Sequence, residues 1–402
     1  MNRWPTVALG ELAADVPFAC VGGPFGSELT TRDYVETPGV PIIRGSNLGE
    51  DGFVDDGFVY VSERKAMVLR GNHVRPGDIV FTQRGTIGQI AIIPENARHE
   101  YYVLSQSQMK LTPNRHRLDP RFLLHYFRSA PALSFLMRNT LATGVPHINL
   151  GILRRAPVPL PPLPVQRRIA EILDKTDALR AKRRAALAQL DILTRSIFLD
   201  MFGDPATNPK GWPVELMQDV TEIVSGATPR TDKADFWDGT INWVTPRELS
   251  DLQGIYIAET ERRITEAGLQ SCAATVLPTG AVLFSSRAPI GHTAICAAPM
   301  ATNQGFKSFV PQPDRLEAHY LLQWLRLRRR FLEGLGTGAT FKEVSKAVVA
   351  RIQTPAPPLA LQTAFADRLR RIQDLGAAER KARAVLDEQF AVLQHRAFRG
   401  EL

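Results

Sequence analysis

Several short clusters of polar side chains in this chain have the residue types that hydrogen-bond to DNA bases. Arginine can form a bidentate pair with guanine, asparagine or glutamine can do so with adenine, and serine or threonine can bond either base. The clusters directly follow short apolar runs. We therefore expect them at strand ends, where a rigid backbone holds such side chains and nearby glycine lets phosphate approach. The candidate DNA-binding residues are Arg44, Ser46, Asn47, Gln83, Arg84, Thr86, Gln106, Gln108, Lys110, Thr245, Arg247, Ser286, Arg287, Asn303, Gln304 and Lys307.

The sequence lacks the motifs that would support catalysis by this chain. It contains no P-loop, no H-E-x-x-H zinc motif and no G-x-S-x-G nucleophile elbow. GGPFGS at 22–27 has the wrong spacing for a dinucleotide loop and is typical of a turn. Glu379, Arg380 and Lys381 have the E-x-K spacing of some nucleases, but they lie in a helical stretch where a solvated charged face is the simpler interpretation. We predict no catalytic residues.

Composition narrows the class of protein. The chain has 402 residues, a net charge of +8, 44% hydrophobic and 22% charged residues, which is typical of several packed domains. Cys20, Cys272 and Cys296 form no C-x-x-C pair, which weighs against both a disulfide framework and a metal site. No apolar run reaches the ~20 residues of a membrane span, and the first residues lack the apolar core of a signal peptide. We expect a cytoplasmic protein whose positive charge mildly favours a polyanionic partner.

The chain is a tandem repeat with a period of about 200 residues. The matching segments keep the same order in both halves, which chance agreement does not explain. Gly88 and Gly291 occupy equivalent places, and we expect both to be architectural. The matched segments are Trp4-Pro5 with Trp212-Pro213, 77–81 with 280–284, 84–88 with 287–291, 122–126 with 320–324, Thr143-Gly144 with Thr337-Gly338, and 161–166 with 357–362. In addition, Gln106 and Lys110 fall near Gln304 and Lys307.

Each repeat is predicted to begin with an α+β domain. Apolar and β-branched runs of a few residues bounded by Gly, Pro, Asp or Asn, such as 40–47, 78–83 and 281–286, are typical of strands. At 122–137 and 318–335 the apolar spacing becomes helical. The predicted organisation is a domain at 1–156, a proline connector and helix at 157–204, a second domain at 205–354, and a second connector and helix at 355–402.

Both helical stretches are predicted to form one antiparallel coiled coil. Each follows a proline cluster and runs for about 35 residues with apolar spacings of three and four. Such helices are roughly 50 Å long, and we expect them to hold the two domains at opposite ends, related by an approximate two-fold axis. Arg183, Arg383 and Glu379 would interrupt the apolar seam and could fix its register. The predicted seam and partner-docking residues are Ile169, Leu173, Leu179, Leu190, Leu193, Phe365, Leu369, Ile372, Leu386, Phe390 and Leu393.

These features, together with a set of duplicated motifs, resemble the specificity subunit of type I restriction-modification systems. The motifs are GGPFGS at 22–27, PLPPLPVQRRIAEILDKTDAL at 159–179, GLQSCAATVLPTGAVLFSSRAPIG at 268–291, ATNQGFK at 301–307 and LQHRAFRGEL at 393–402. The resemblance spans the whole chain. It implies two target-recognition domains, each reading one half of a split DNA site.

The resemblance also implies partners. The coiled coil would dock two methylation subunits, and restriction subunits would join through the complex. S-adenosylmethionine, ATP and Mg would belong to those partner subunits, so this chain would supply sequence choice without catalysis.

At 3.4 Å per base pair, the predicted helices place the two domains on the order of 15 base pairs apart along the duplex. Because the two domains differ in sequence, we expect an asymmetric, bipartite target.

Three alternatives remain open from the residues alone. One is a coiled-coil scaffold that bridges protein partners without sequence-specific DNA binding. Another is a fused enzyme that modifies or cuts DNA by itself. A third is the same kind of subunit in a related defence system with a different methylation partner.

Overall fold

The computed structural model describes residues 4–36, 39–141, 144–287, 289–338 and 342–402. The chain divides into two compact units, Met1–Arg183 with Ala382–Leu402 (the first unit) and Arg184–Lys381 (the second unit). Thr143 and Ala288, which belong to two of the repeated motifs, lie outside the described residues. Within the described part of the chain, no helix combines the length and apolar composition needed to cross a membrane.

The first repeat consists of short strands and short helices followed by one long helix. The strands are β1 Thr6–Ala8, β2 Cys20–Gly22, β3 Tyr34–Val35, β4 Val40–Ile43, β5 Leu48–Gly49, β6 Gly52–Phe53, β7 Val59–Val61, β8 His73–Val74, β9 Ile79–Thr82, β10 Ile90–Ile92, β11 Tyr102–Leu104, β12 Gln108–Leu111 and β13 Pro157–Pro159. The helices are α1 Glu63–Val68, α2 Pro120–Phe127, α3 Ala130–Arg138, α4 Leu150–Arg154 and α5 Leu163–Phe202.

The second repeat has the same general order of elements. Its strands are β14 Val214–Leu216, β15 Thr221–Ser225, β16 Trp237–Val244, β17 Tyr256–Ile257, β18 Arg263–Ile264, β19 Val282–Phe284, β20 Thr293–Cys296, β21 Met300–Thr302, β22 Lys307–Pro311 and β23 Gln353–Pro355. Its helices are α6 Met217–Val220, α7 Pro246–Asp251, α8 Glu266–Gln270, α9 Ala318–Leu327, α10 Arg329–Gly334, α11 Lys346–Ala350 and α12 Leu359–Arg399.

Two main sheets organise the domain of the first unit. One is antiparallel, with the strand order β10-β9-β12-β2. The other has the order β3-β7-β4-β11-β8 and contains one parallel pair, β4 with β11, in which Ile43 lies opposite Leu104. Because parallel strands end at the same edge of a sheet, the segments that follow β4 and β11 come together.

The second unit repeats this parallel arrangement. Its sheets have the orders β15-β22-β19-β20-β17 and β18-β16-β21. In the smaller sheet β16 is parallel to β21, with Val244 opposite Thr302. The segments after these two strands therefore also meet at one sheet edge.

The proline-rich connectors are extended edge strands. β13 pairs with β1 in the first unit, and β23 pairs with β14 in the second; such edges tolerate proline, which has no amide donor. Each connector leads to a buried glutamine in the first turn of a long helix. Gln166 accepts a hydrogen bond from the Asp119 amide and donates to the Arg117 and Pro161 carbonyls, and Gln362 makes three equivalent bonds. The repeated glutamine therefore fastens each helix to its domain.

In the first unit, the beginning of α5 packs against the end of α12. Ile169, Leu173 and Phe390 are buried in one core with helix α2. Farther along α5 the contact becomes polar, because Arg180 Nε donates to Asp387 Oδ1 at 2.5 Å. The Arg180 guanidinium also lies 4.5 Å from the centre of the Phe390 ring.

In the second unit, the end of α5 packs against the beginning of α12. The Phe198 ring is fully buried, with its centre 5.5 Å from that of Phe365 and 5.4 Å from that of Tyr320 in α9. Leu369 lies in the same core. The helices thus pair beginning to end in both units, which confirms the predicted antiparallel coiled coil and the α+β fold class.

Two residues assigned to the seam by the sequence pattern do not lie on it. Leu179 and Leu193 are about half exposed on the outer faces of α5. Leu179 lies six residues after Leu173. Six residues of an α-helix place the second side chain about 120° around the helix axis from the first. The inner face instead passes through Asp177 and Arg180, which explains the polar contact there. Leu190, Ile372, Leu386 and Leu393 are half-buried.

Candidate nucleic-acid interface

A pocket of about 460 Å³ opens at the end of the parallel strands of the first unit. Arg44 and Gly45 follow β4, whereas Ser105 and Gln106 follow β11, and all four line the pocket. The Gln106 side-chain amide donates to the Gly26 and Leu29 carbonyls at 2.5 and 2.6 Å. These two hydrogen bonds hold the loop that follows β2 against the pocket. The turn-like GGPFGS motif forms the first part of this loop.

The second unit has a pocket of about 430 Å³ at the equivalent sheet edge. Thr245 and Arg247 follow β16, Asn303 and Gln304 follow β21, and Arg287 reaches the same pocket from the end of β19. Gln304 Oε1 accepts a hydrogen bond from the Thr228 hydroxyl. The two pockets therefore share a backbone position but present different side chains.

Two glycines that the sequence analysis did not single out shape these pockets. A Cβ atom on Gly23 would lie 2.0 Å from the Ser105 carbonyl oxygen, and one on Gly226 would lie 2.0 Å from the Asn303 carbonyl oxygen. The two backbones approach so closely that only glycine fits. The sequence does contain a signal for them, because a glycine directly follows the last residue of β2, Gly22, and the last residue of β15, Ser225.

Seven of the sixteen candidate residues line the two pockets, and four others are at least partly accessible outside them. Ser46, Arg84 and Thr86 are exposed, and Gln83 is half-buried. Their predicted DNA contacts stay predictions. The pocket-lining candidates are Arg44 and Gln106 in the first unit and Thr245, Arg247, Arg287, Asn303 and Gln304 in the second.

The remaining five candidates are buried and already bonded within the protein or enclosed in it. Asn47 accepts a hydrogen bond from the Arg44 amide and donates to the Val54 and Asp56 carbonyls. It closes the turn after β4, as Glu248 does after β16 by accepting from the Thr245 amide. Asn47 therefore shapes the pocket edge, and in this state its side chain does not face solvent.

Lys110 is buried and ion-paired with Asp78 at 3.0 Å. Gln108 Oε1 accepts a hydrogen bond from the Ser105 hydroxyl, and the Ser286 hydroxyl donates to the Gly305 carbonyl at 3.1 Å. Like Lys307, these side chains are almost inaccessible to solvent. A DNA contact by any of them would require the domain to rearrange.

Lys110 and Lys307 fall near each other in the two repeats, but they are one residue out of register. In the sheets Leu111 lies opposite Ile79, and Phe309 lies opposite Val282. Since 77–81 matches 280–284, Lys307 corresponds to Met109 and not to Lys110. Successive side chains of a strand point to opposite faces, so the two lysines serve different environments.

Gly88 and Gly291 have the structural role expected of them. Both have positive φ values, 100° and 92°. A Cβ atom would lie 2.7 Å from the Leu133 side chain at Gly88 and 2.8 Å from the Arg329 side chain at Gly291. Glycine is the residue that suits this backbone and this space.

The architecture defines a duplicated α+β protein in which each copy has a polar pocket at a parallel strand end and is followed by a long helix. Comparison with known protein families shows which family has this architecture. The profile described as the type I restriction modification DNA specificity domain matches residues 33–189 and again 209–387. The chain belongs to this family.

Several relatives of this chain carry names from the same family. It is 34% identical over 182 residues to the type I restriction enzyme MjaIX specificity subunit of Methanocaldococcus jannaschii, a match that covers 45% of this chain and 42% of that protein. It is 22% identical over 381 residues to the putative MjaX specificity subunit of the same organism, covering 90% of this chain and 86% of the relative.

Solved structures share the fold. The S subunit of a type I restriction-modification system from M. genitalium has a TM-score of 0.59 at 11% identity, with 99% of this chain and 96% of that chain covered. A chain from a structural study of assembly and conformational transition in the type I R-M system has a TM-score of 0.55 at 22% identity, with 99% and 98% covered.

Proposed function

We propose that this chain is the DNA-sequence-recognition subunit of a type I restriction-modification complex and reads an asymmetric, bipartite site. The observation that carries the proposal is the pair of pockets at equivalent strand ends. Their shared backbone gives both domains the same way of approaching a duplex, while their different side chains give each a different base preference. Arg44 and Gln106 would act in one half-site, and Arg247, Asn303 and Gln304 in the other.

The chain itself would choose the sequence and leave the chemistry to partners. Two methylation subunits would dock on the long helices, and restriction subunits would join through the assembled complex. S-adenosylmethionine, ATP and Mg would bind to those partners and not to this chain. The complex would act on cellular DNA in the cytoplasm.

Methylome sequencing of cells that express the chain with its methylation subunit tests this function. We expect methylated adenines in a split target with two unlike half-sites around an unread spacer. A continuous palindrome would contradict the proposal. Assembly with protein partners but no sequence preference in the methylome would instead favour a scaffold.

The long helices carry one apolar surface position that recurs in both repeats. Leu179 is 50% exposed in the first unit, and Leu375, the residue at the same distance from the repeated glutamine, is 52% exposed in the second. An exposed leucine that appears twice at one repeat position fits two copies of the same partner. We therefore assign these leucines to the docking of the two methylation subunits.

Leu179→Asp and Leu375→Asp are each expected to remove one methylation subunit, because a charge at the centre of an apolar contact costs on the order of 2 kcal/mol or more. Native mass spectrometry of the reconstituted complex would show two methylation subunits for the wild type, one for each single variant and none for the double variant. Ile192→Asp is the matched control, since Ile192 is 60% exposed on α5 but its repeat counterpart is the polar Glu388. Retention of both subunits by the double variant would refute this docking site.

A further inference from the structure

A carboxylate lies behind Arg287, one of the two arginines that line the pocket of the second unit. Glu343 Oε2 accepts a hydrogen bond from Arg287 Nε at 2.7 Å. The two residues also face each other as an isolated antiparallel bridge, and the Val344 amide donates to the Ser286 carbonyl at 2.9 Å. The backbone on both sides therefore fixes the position of this pair.

Lys307 anchors the same carboxylate from the interior. Its Nζ donates to Glu343 Oε1 at 3.2 Å, and its side chain is only 10% exposed. Burial acts to raise the pKa of Glu343, but the hydrogen bonds from Arg287 and Lys307 outweigh it and hold that pKa below its usual value. Glu343 is thus ionised at neutral pH, with one oxygen on each cation.

This arrangement leaves a defined part of Arg287 for a ligand. Its Nε is occupied by Glu343, and among the described residues neither terminal guanidinium nitrogen has a protein partner. Those two nitrogens belong to a side chain that lines the pocket beside Arg247, Asn303 and Gln304. Two parallel N–H donors match the O6 and N7 acceptors of guanine in the major groove.

The first unit has no such device at the equivalent place. Arg84 there forms an isolated bridge with His147, whose Nδ1 lies 3.2 Å from the Val145 carbonyl oxygen. The counterpart of Lys307 is the buried Met109. Among the described residues, no carboxylate pairs with Arg84. The ion-paired triad is therefore a property of the second repeat and not of the shared fold.

We propose that Glu343 is a positioning residue that holds Arg287 end-on against a guanine in the half-site read by the second unit. The inference rests on the proposed function and adds one base and one supporting residue to it. Arg287 makes the contact, whereas Glu343 acts through Arg287 by restricting its side-chain rotation. Fixing a long side chain before binding removes an entropic cost that an unsupported arginine would meet on the DNA.

The test measures binding of the complete complex, this chain with its methylation subunits, to a library of duplexes randomised in both half-sites. Arg287→Ala is expected to remove a guanine preference at one base pair, with discrimination falling on the order of 10-fold or more. Glu343→Gln, which keeps the shape but removes the charge, is expected to lower the preference at that same base pair. The double variant should be no worse than Arg287→Ala alone, because Glu343 acts only through Arg287.

The outcomes separate this inference from the proposed function. A wild-type complex with no sequence preference would overturn both. A wild-type preference that Glu343→Gln leaves unchanged would overturn only the positioning role. Equal weakening of all sequences by Arg287→Ala, with a smaller salt dependence, would show a phosphate contact and overturn the guanine assignment. His147→Gln is the matched control in the first unit and should leave the affected base pair unchanged, while thermal unfolding reports on the fold of each variant.

Discussion

Gly226→Ala is expected to disrupt the pocket at the end of β16 and β21 in the second unit and to destabilise its domain by about 3 kcal/mol. A Cβ atom at this position would lie 2.0 Å from the Asn303 carbonyl oxygen and 2.5 Å from the Thr302 carbonyl oxygen. Both are backbone atoms at the end of β21, so no side-chain rotation relieves the overlap. The strand end must move, and it carries Asn303 and Gln304 with it.

Chemical denaturation and binding to half-site variants would measure this effect. Gly23→Ala should do the same in the first unit, where the added Cβ would meet the Ser105 carbonyl oxygen at 2.0 Å. Gly334→Ala is a suitable control, because no atom lies within 4 Å of its added Cβ, and it should be neutral or slightly stabilising in helix α10. If Gly226→Ala and Gly23→Ala kept wild-type stability and base preference, the close backbone approach described for both pockets would be wrong.

The second large effect concerns the packing of the end of α5 within the core of the second unit. Phe198→Ala is expected to lower the free energy of unfolding by about 3–5 kcal/mol, the usual range for truncating a buried aromatic side chain. The Phe198 ring is 0% exposed and packs against Phe202, Tyr320 and Phe365. Its removal leaves a cavity where two long-helix segments and α9 meet.

Urea denaturation followed by circular dichroism would detect the change, and the loss should appear in the transition of the second unit. Ile192→Ala lies on the same helix but removes a side chain that is 60% exposed, so its effect should stay within about 0.5 kcal/mol. A loss below 1 kcal/mol for Phe198→Ala would mean that the helix does not depend on this aromatic cluster.

Much of the fold was readable from local sequence patterns. The recurrence of motifs such as 84–88 and 287–291 revealed the duplication, and proline clusters before long stretches of helical spacing predicted the connectors and the paired helices. The helices Leu163–Phe202 and Leu359–Arg399 lie within the predicted spans, and their 40 and 41 residues slightly exceed the predicted length. Such features depend on residues close to one another in the chain, so periodicity is enough to indicate them.

The role of each polar residue was harder to predict from the sequence than the fold was. The sequence grouped Asn47 and Lys110 with the DNA-contacting candidates, but the tertiary structure uses Asn47 to close a turn and Lys110 to neutralise Asp78. Both types of residue serve inside a protein as readily as on its surface when partners are supplied. Composition and spacing do not reveal whether another part of the chain provides a hydrogen-bond or ion-pair partner.

By itself, the sequence determined a duplicated α+β protein with two paired helices and clusters of polar side chains at or near strand ends. Only the tertiary structure decided which of those side chains face the pockets, that Lys307 corresponds to Met109, and that Glu343 supports Arg287 from 56 positions away. The physical reason is how far apart the interacting residues lie along the chain. Helices and turns follow from neighbouring residues, whereas strand register and buried ion pairs form between distant segments once the core is packed.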